Sequence, residues 1–210
     1  MPQPIDILNG GTIFYDENFY SKANADALFE ELRAETPWKQ EHSRFGPFPR
    51  LTAWYADAGM TYSYSGVTHD AIPWTPTLQD VRRGVEDVAA RLPSPHCGRG
   101  VGGEGGTAMA FNSLLLNFYR DGQDSIGYHA DAEKELGTNP VIASISLGGV
   151  RQFVMKHIKS GEKLKYDLAH GSLLIMGGTS QHHWVHAVPK TKAAVGPRIN
   201  LTFRNIMVTG

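Results

Sequence analysis

Three short stretches carry residue types that can hold a metal ion and an anion side by side. In DSIGYHADAEKE, His129 and Asp131 stand two apart. On an extended strand residues i and i+2 point to the same face, so an imidazole and a carboxylate can converge on one ion. QHHWVHAVP offers His182, His183 and His186, any one of which completes a set of two His and one carboxylate. Such a set leaves positions open for bringing a co-substrate and dioxygen to iron(II); zinc accepts the same ligands. The competing reading is partly buried, hydrogen-bonded His in an aromatic strand. In GPRINLTFRNI, Arg198, Asn200, Thr202 and Arg204 alternate with Ile199, Leu201 and Phe203, giving one apolar face and one with two guanidiniums, an amide and a hydroxyl. Guanidinium forks bind carboxylates through paired charge-assisted hydrogen bonds, so a dicarboxylate is a natural occupant; a solvated outer face is the alternative. Asn117 and Tyr119, in the strand before His129, can add neutral donors.

These residues need a scaffold. From Phe111 onward the chain shows short β-type runs, FNSLLLNFY, VIASISL, RQFVMK, SLLIM, HWVHAV and INLTF, separated by turn-forming clusters. With no helix-period stretch between them, they predict an antiparallel sandwich, barrel or jelly roll rather than a parallel α/β sheet. Two helices precede them. Ser21 can cap one running to about Glu35, with Ala27, Leu28, Phe29 and Leu32 as its apolar face. Thr77 can cap a second, whose stripe of Leu78, Val81, Val85, Val88 and Leu92 is ended by Pro93 and Pro95. The helices should buttress the sheets in an α+β fold. CGRGVGGEGG lacks the Lys-Ser/Thr and the preceding strand of a phosphate cradle, and reads as a loop.

The 210 residues, 41% hydrophobic and 20% charged, suit one large domain with a real core and exclude disorder as the main state. A single Cys97 excludes an internal disulfide framework and suits a reducing compartment. No apolar run approaches the roughly 18 residues of a membrane span, and MPQPIDILNG lacks the regions of a signal peptide. The expected home is the cytoplasm or the nucleus, without secretion. The net charge of -1 conceals a segregation: residues 151–210 carry nine Lys or Arg against two acidic groups, residues 1–150 carry 11 against 19. The average therefore does not exclude a nucleic-acid partner.

Taken in order, NFYRDG, YHADAEKELG, VIASISLGG, AHGSLLIM, HWVHAVP and PRINLTFR resemble the AlkB-like nucleic-acid dealkylating dioxygenases, which depend on iron(II) and 2-oxoglutarate. The similarity runs from about Trp38 to Ile206 and is nearest the animal nuclear DNA-repair homologues. It implies a double-stranded β-helix, a jelly-roll variant, in a single domain 1–210, with a nucleotide-recognition lid and base pocket at about 38–66 and a catalytic core at about 107–206. Fe(II) would be held by His129, Asp131 and His186, the family's HWxH pattern selecting the last His. Asn117, Tyr119, Arg198, Thr202 and Arg204 would bind 2-oxoglutarate, with Asn200 lining that site. The implied reaction turns O2 and 2-oxoglutarate into succinate and CO2 while an N-alkyl carbon is hydroxylated and leaves as formaldehyde.

A methyl on a Watson-Crick nitrogen is inaccessible in a stacked duplex, so the target is extruded or already single-stranded. MTYSYSGVTHD resembles the family's base-pocket stretch, which implies that Tyr64 stacks on the base opposite His129 and that Tyr62 hydrogen-bonds nearby. By residue type alone, two Tyr in a strand are ordinary half-buried packing. Glu133 stands where the family places an acidic group near the base, and Ala132 where an acidic residue is expected. HSRFGPFPRLT resembles the mobile lid, with Phe45, Phe48 and Arg50 at exposed turn positions; Phe45 is either a wedge for the gap left by a flipped base or a loop anchor. Lys156, Lys159, Lys163 and Lys165 fall in a hairpin-like basic loop suited to phosphates. The expectation is a monomeric demethylase of 1-methyladenine and 3-methylcytosine type lesions in single- or double-stranded DNA, with RNA as a further substrate and no membrane partner. A dioxygenase acting on a protein or small molecule, and a non-catalytic jelly-roll binding module, are the competing classes.

Overall fold

Period-two alternation in the C-terminal half resolves into two antiparallel sheets in the structure, a computed structural model describing residues 2–43, 46–64, 67–92 and 110–207. In chain order their strands are β1 (Ile5–Ile7), β2 (Gly11–Asp16), β3 (Leu51–Ala56), β4 (Ser113–Tyr119), β5 (Ile126–His129), β6 (Ile142–Gly148), β7 (Arg151–His157), β8 (Lys163–Leu168), β9 (Ser172–Gly178), β10 (Trp184–Val188) and β11 (Arg198–Arg204). The larger sheet runs β1-β2-β9-β6-β11-β4-β3 and the smaller β8-β7-β10-β5. This is the expected jelly-roll core. Two short ribbons, 42–43 with 46–47 and 61–64 with 67–70, stand outside both sheets.

Helices cover one face of the larger sheet. The Ser21 hydroxyl caps α1 (Lys22–Glu35) by accepting the Asn24 N–H, and the helix turns Ala25, Leu28, Phe29 and Leu32 inward, Ala25 taking the place expected for Ala27. In α2 (Pro76–Ala89) the stripe Leu78, Val81, Val85 and Val88 is buried as expected, but Leu92 lies past the last helical residue. Its cap is Thr75, not Thr77: Thr75 accepts the Leu78 N–H, and Pro76 sits in the first turn, where its missing N–H leaves no bond unmade. Thr77 donates instead to Glu31 of α1. Pro93, Pro95 and the glycine-rich loop lie outside the described residues.

The helix residues pack on Ile145, Leu147, Leu173, Ile199, Leu201 and Phe203 of the larger sheet. On its other face Leu115, Ile142, Leu174 and Met176 meet Phe153, Met155 and Trp184 of the smaller sheet. Each such side chain contributes roughly 1.5–3 kcal/mol by leaving water. Every residue of β11 is therefore buried, including its polar row, which faces the gap between the sheets rather than solvent.

The sheets draw on more of the chain than the 107–206 stretch. β1 and β2 extend the larger sheet beyond β9, and β3, from within the 38–66 stretch, pairs with β4 at the opposite edge. Residues 52–56 are all buried, so β3 reads as a continuous apolar run with no alternation to betray it. Gly148, with φ +85°, turns β6 into β7, and a Cβ there would collide with the Pro197 carbonyl oxygen. Among the described residues no helix is long and apolar enough to cross a membrane.

Candidate metal centre and anion pocket

His129 ends β5 and His186 lies within β10; antiparallel pairing sets them directly opposite, with ring centroids 4.3 Å apart. Asp131 is not on the strand as the i, i+2 argument expects, but two residues beyond its end. Two bonds hold it there: Gln181, in the short helix α3 (Ser180–His183), accepts its backbone N–H at 2.9 Å, and Arg204 at the end of β11 donates to its Oδ1 at 2.8 Å. The ligand atoms of His129, Asp131 and His186 all lie within 4.8 Å of one another.

The protonation states suit a cation. His129 Nδ1 sits 2.9 Å from the Gly127 carbonyl oxygen, so that nitrogen is the hydrogen-bond donor and Nε2 is the one left to bind a metal. Burial lowers the His186 pKa to about 3, leaving a neutral imidazole. For Asp131 burial alone would raise the pKa, but the Arg204 guanidinium outweighs it and holds the carboxyl below the usual carboxylate range. With His186 neutral, the Arg204 ion pair is the main source of that depression. Asp131 Oδ2 is buried, accepts no hydrogen bond and lies 3.8 Å from His186 Nε2. An orphaned carboxylate oxygen beside two imidazole lone pairs fits a divalent metal.

Register decides among the three His of the QHHWVH stretch. His182 is exposed and bonded to Thr138 and Asn139, and His183 lies beside the His157 ring. Neither joins the cluster.

Beside the triad, a cavity of about 520 Å³, counting its open mouth, runs between the sheets. Arg198, Asn200, Thr202 and Arg204 line it from β11, and Asn117 and Tyr119 from β4, where Arg198 pairs with Tyr119 and Asn200 with Asn117. Arg198 is only 1% exposed. Its Nη2 donates to Ser146 Oγ at 2.8 Å and its guanidinium carbon lies 5.1 Å from the centre of the Tyr119 ring, while Nε and Nη1 make no hydrogen bond. Burial lowers its pKa, the Tyr119 hydroxyl opposing, yet arginine stays charged at neutral pH. A buried guanidinium with two unused donors calls for an anion. Asn200 has its amide committed: Nδ2 donates to Ser144 Oγ and the Ile145 carbonyl, and Oδ1 accepts from Thr202. It braces the wall rather than offering a free group.

Other expected residues fall in different places. Arg50 is no exposed lid residue: it is 3% exposed and donates through Nε to Asn117 Oδ1 at 2.6 Å. Phe48 is likewise buried, beneath the Arg50 guanidinium. Phe45 lies outside the described residues, as do the side chains of Tyr62 and Tyr64, whose backbone forms the 61–64 ribbon strand. Glu133 is half-buried, with Oε2 buried and unbonded. Lys156 is in β7, Lys159 in the following turn, and Lys163 and Lys165 in β8, so the basic loop is a regular hairpin. Sequence reasoning missed Gln181, whose only signal is its place before the His run, and Arg151, whose buried guanidinium binds the carbonyls of Asp121, Asp124 and Pro189.

Comparison with known proteins agrees with this geometry. A profile described as the 2OG-Fe(II) oxygenase superfamily matches residues 12–204. The chain is 38% identical over 205 residues to the human DNA oxidative demethylase ALKBH2, covering 90% of this chain and 72% of that one. It is 39% identical to the mouse alpha-ketoglutarate-dependent dioxygenase alkB homolog 3, covering 90% and 64% respectively. Among solved structures, OsALKBH1 superimposes with a TM-score of 0.66 at 18% identity, over 96% of this chain and 99% of that one, a likeness of fold. A jelly roll carrying a two-His, one-carboxylate cluster beside an arginine-lined pocket, and matching that profile over nearly its whole length, belongs to the 2OG-Fe(II) oxygenase superfamily, in its AlkB-like branch.

Proposed function

We propose that this dioxygenase oxidatively demethylates N-alkylated DNA bases of the 1-methyladenine and 3-methylcytosine type, with RNA carrying the same lesions as a further substrate. The observation that carries the reading is the buried triad sharing one cavity with a buried arginine that has two guanidinium nitrogens free of hydrogen bonds, in a chain similar to a protein named a DNA oxidative demethylase. In this reading His129, Asp131 and His186 hold Fe(II), and Arg198, Tyr119, Asn117, Thr202 and Arg204 bind 2-oxoglutarate, braced by Asn200. When bound, iron and 2-oxoglutarate supply the oxidation: one oxygen atom of O2 ends in succinate as CO2 leaves, the other on the N-alkyl carbon, which departs as formaldehyde.

The protein's own share is position and charge. Gly127 fixes the His129 tautomer, Arg204 keeps Asp131 ionised, and the apolar walls of Leu115, Ile126 and Phe153 limit water. Tyr62 and Tyr64 receive the extruded base, and the unbonded Glu133 Oε2 supplies an acceptor for the exocyclic amino group that adenine and cytosine share. On the β7–β8 hairpin Lys156 stands opposite Lys163. Like charges in that arrangement repel, and a phosphate between them relieves the repulsion. The enzyme works as a monomer wherever the cell keeps its DNA, bacterial cytoplasm or nucleus.

The test is incubation with Fe(II), 2-oxoglutarate and oligonucleotides carrying single 1-methyladenine or 3-methylcytosine lesions, single- and double-stranded, DNA and RNA. Formaldehyde and unmethylated base in equal amounts are expected. Succinate production that no methylated nucleic acid stimulates would refute the reading.

A further inference from the structure

We infer that Arg50 is a positioning residue for the co-substrate, fixing the Asn117 side chain so that its NH2 group, not its oxygen, faces the cavity. This rests on the reading of Asn117 as a 2-oxoglutarate ligand. Arg50 directly precedes β3 and does not line the cavity; its Nε donates to Asn117 Oδ1 at 2.6 Å. A guanidinium has donors only, so the end of the amide it can hold is the oxygen. A carboxylate has acceptors only, so the end of the amide it can use is the NH2. Flipping Asn117 would set donor against donor at Arg50 and acceptor against acceptor in the cavity. The buried arginine thus turns an ambivalent side chain into a committed donor.

Arg50 is well anchored for this task. Its guanidinium carbon lies 5.0 Å from the centre of the Phe48 ring, its backbone N–H donates to the Phe48 carbonyl at 2.8 Å, and its own carbonyl accepts from Gln40 at 3.2 Å. In register, Asn117 is flanked by Thr52 of β3 and Asn200 of β11. With Asn200 already committed, Asn117 is the amide on this wall whose NH2 donates to no described residue.

The test measures 2-oxoglutarate affinity directly, by calorimetry on the Mn(II)-loaded protein without oxygen, so turnover plays no part. Gln places its amide nitrogen as many bonds from the backbone as arginine places Nε, whereas Met places a methyl there. Arg50→Met should weaken 2-oxoglutarate binding about 10-fold, and Arg50→Gln by no more than about 3-fold, as expected for loss or retention of one orienting hydrogen bond. In an Asn117→Ala background Arg50→Met should add nothing. Equal weakening by Gln and Met would make charge, not orientation, the cause and overturn the inference, as would native affinity in Arg50→Met. If Arg50→Met does not fold, Asn117→Asp decides: it retains an acceptor for Arg50 and has no NH2 to offer. Binding as weak as in Asn117→Ala supports the inference, and native affinity overturns it. Native affinity in Asn117→Ala itself would instead sink the co-substrate reading of Asn117.

Discussion

Arg204 and Asp131 are bound to each other, Nη2 to Oδ1 at 2.8 Å, in a site almost closed to solvent. The sequence points Arg204 at the co-substrate alone, whereas the structure gives it a metal-ligand candidate as a partner. Replacing it by Met leaves a buried carboxylate without its cation, so burial prevails and the Asp131 pKa rises. In the native protein Arg204 keeps the carboxylate ionised below the usual carboxylate range. In Arg204→Met protons should compete with metal near neutrality, weakening Mn(II) binding about 10- to 100-fold at pH 6, with recovery as pH rises. Calorimetric titration at pH 6 and pH 8 checks this; equal losses at both would detach Arg204 from the ionisation of Asp131.

Arg198 presents the opposite balance. Two of its guanidinium nitrogens are buried and unbonded in the protein alone, so Arg198→Met should leave the ligand-free protein as stable as the wild type or more so. Its cost should appear when 2-oxoglutarate is added. At 100 times its Kd the co-substrate stabilises the wild type by about 2.7 kcal/mol, and the variant should show almost none of that gain. Thermal melts with and without 2-oxoglutarate separate the two effects. A variant that loses stability before any ligand is added would mean Arg198 is structural.

The residues that carry charge or metal-binding capacity were legible in the sequence, because the alternation in RINLTFR and the spacing in HAD survive as local pattern. Which His joins them is not legible in residue type and spacing, and only the family's HWxH pattern singles out His186. His186 is chosen by standing opposite His129 across β5 and β10, a relation between residues 57 positions apart that no local spacing encodes. Arg50 was misplaced for a related reason: Pro and Gly around it signal a turn, but the side chain leaving that turn enters the core to meet Asn117. β3 escaped notice because residues 52–56 are buried on both faces, which erases the period-two signal.

Asp124 tests the acid limit of stability. Burial alone would raise its pKa, but side-chain and backbone hydrogen bonds from Arg120 outweigh that and hold it below the usual carboxylate value. A carboxyl depressed in the folded state contributes stability that is complete above its unfolded pKa, about 3.9, and is lost as pH falls through the folded value. Asp124→Asn should therefore cost about 1.5–3 kcal/mol at pH 7, with the gap to wild type closing once pH drops below about 4. Urea denaturation at pH 7 and pH 3 reads it, and a constant gap would exclude the ion pair as its source.

The hairpin lysines make stability and binding move in opposite directions. Lys163 and Lys165 are exposed, and Lys163 faces Lys156 across the strand pair. Truncating Lys163 removes a like-charge contact, so Lys163→Ala should be more stable by about 0.2–1 kcal/mol. If the hairpin meets phosphates, the same change should weaken oligonucleotide binding, and Lys163→Ala with Lys165→Ala should flatten the slope of log affinity against log salt by about 0.7–0.9 per lost contact. Phosphates carry no sequence or lesion information, so methylated and unmethylated strands should lose affinity equally while turnover at saturation is retained. An unaltered salt slope in the double variant would place this basic face away from the nucleic acid. Loss confined to methylated strands would instead bring the hairpin to the base itself.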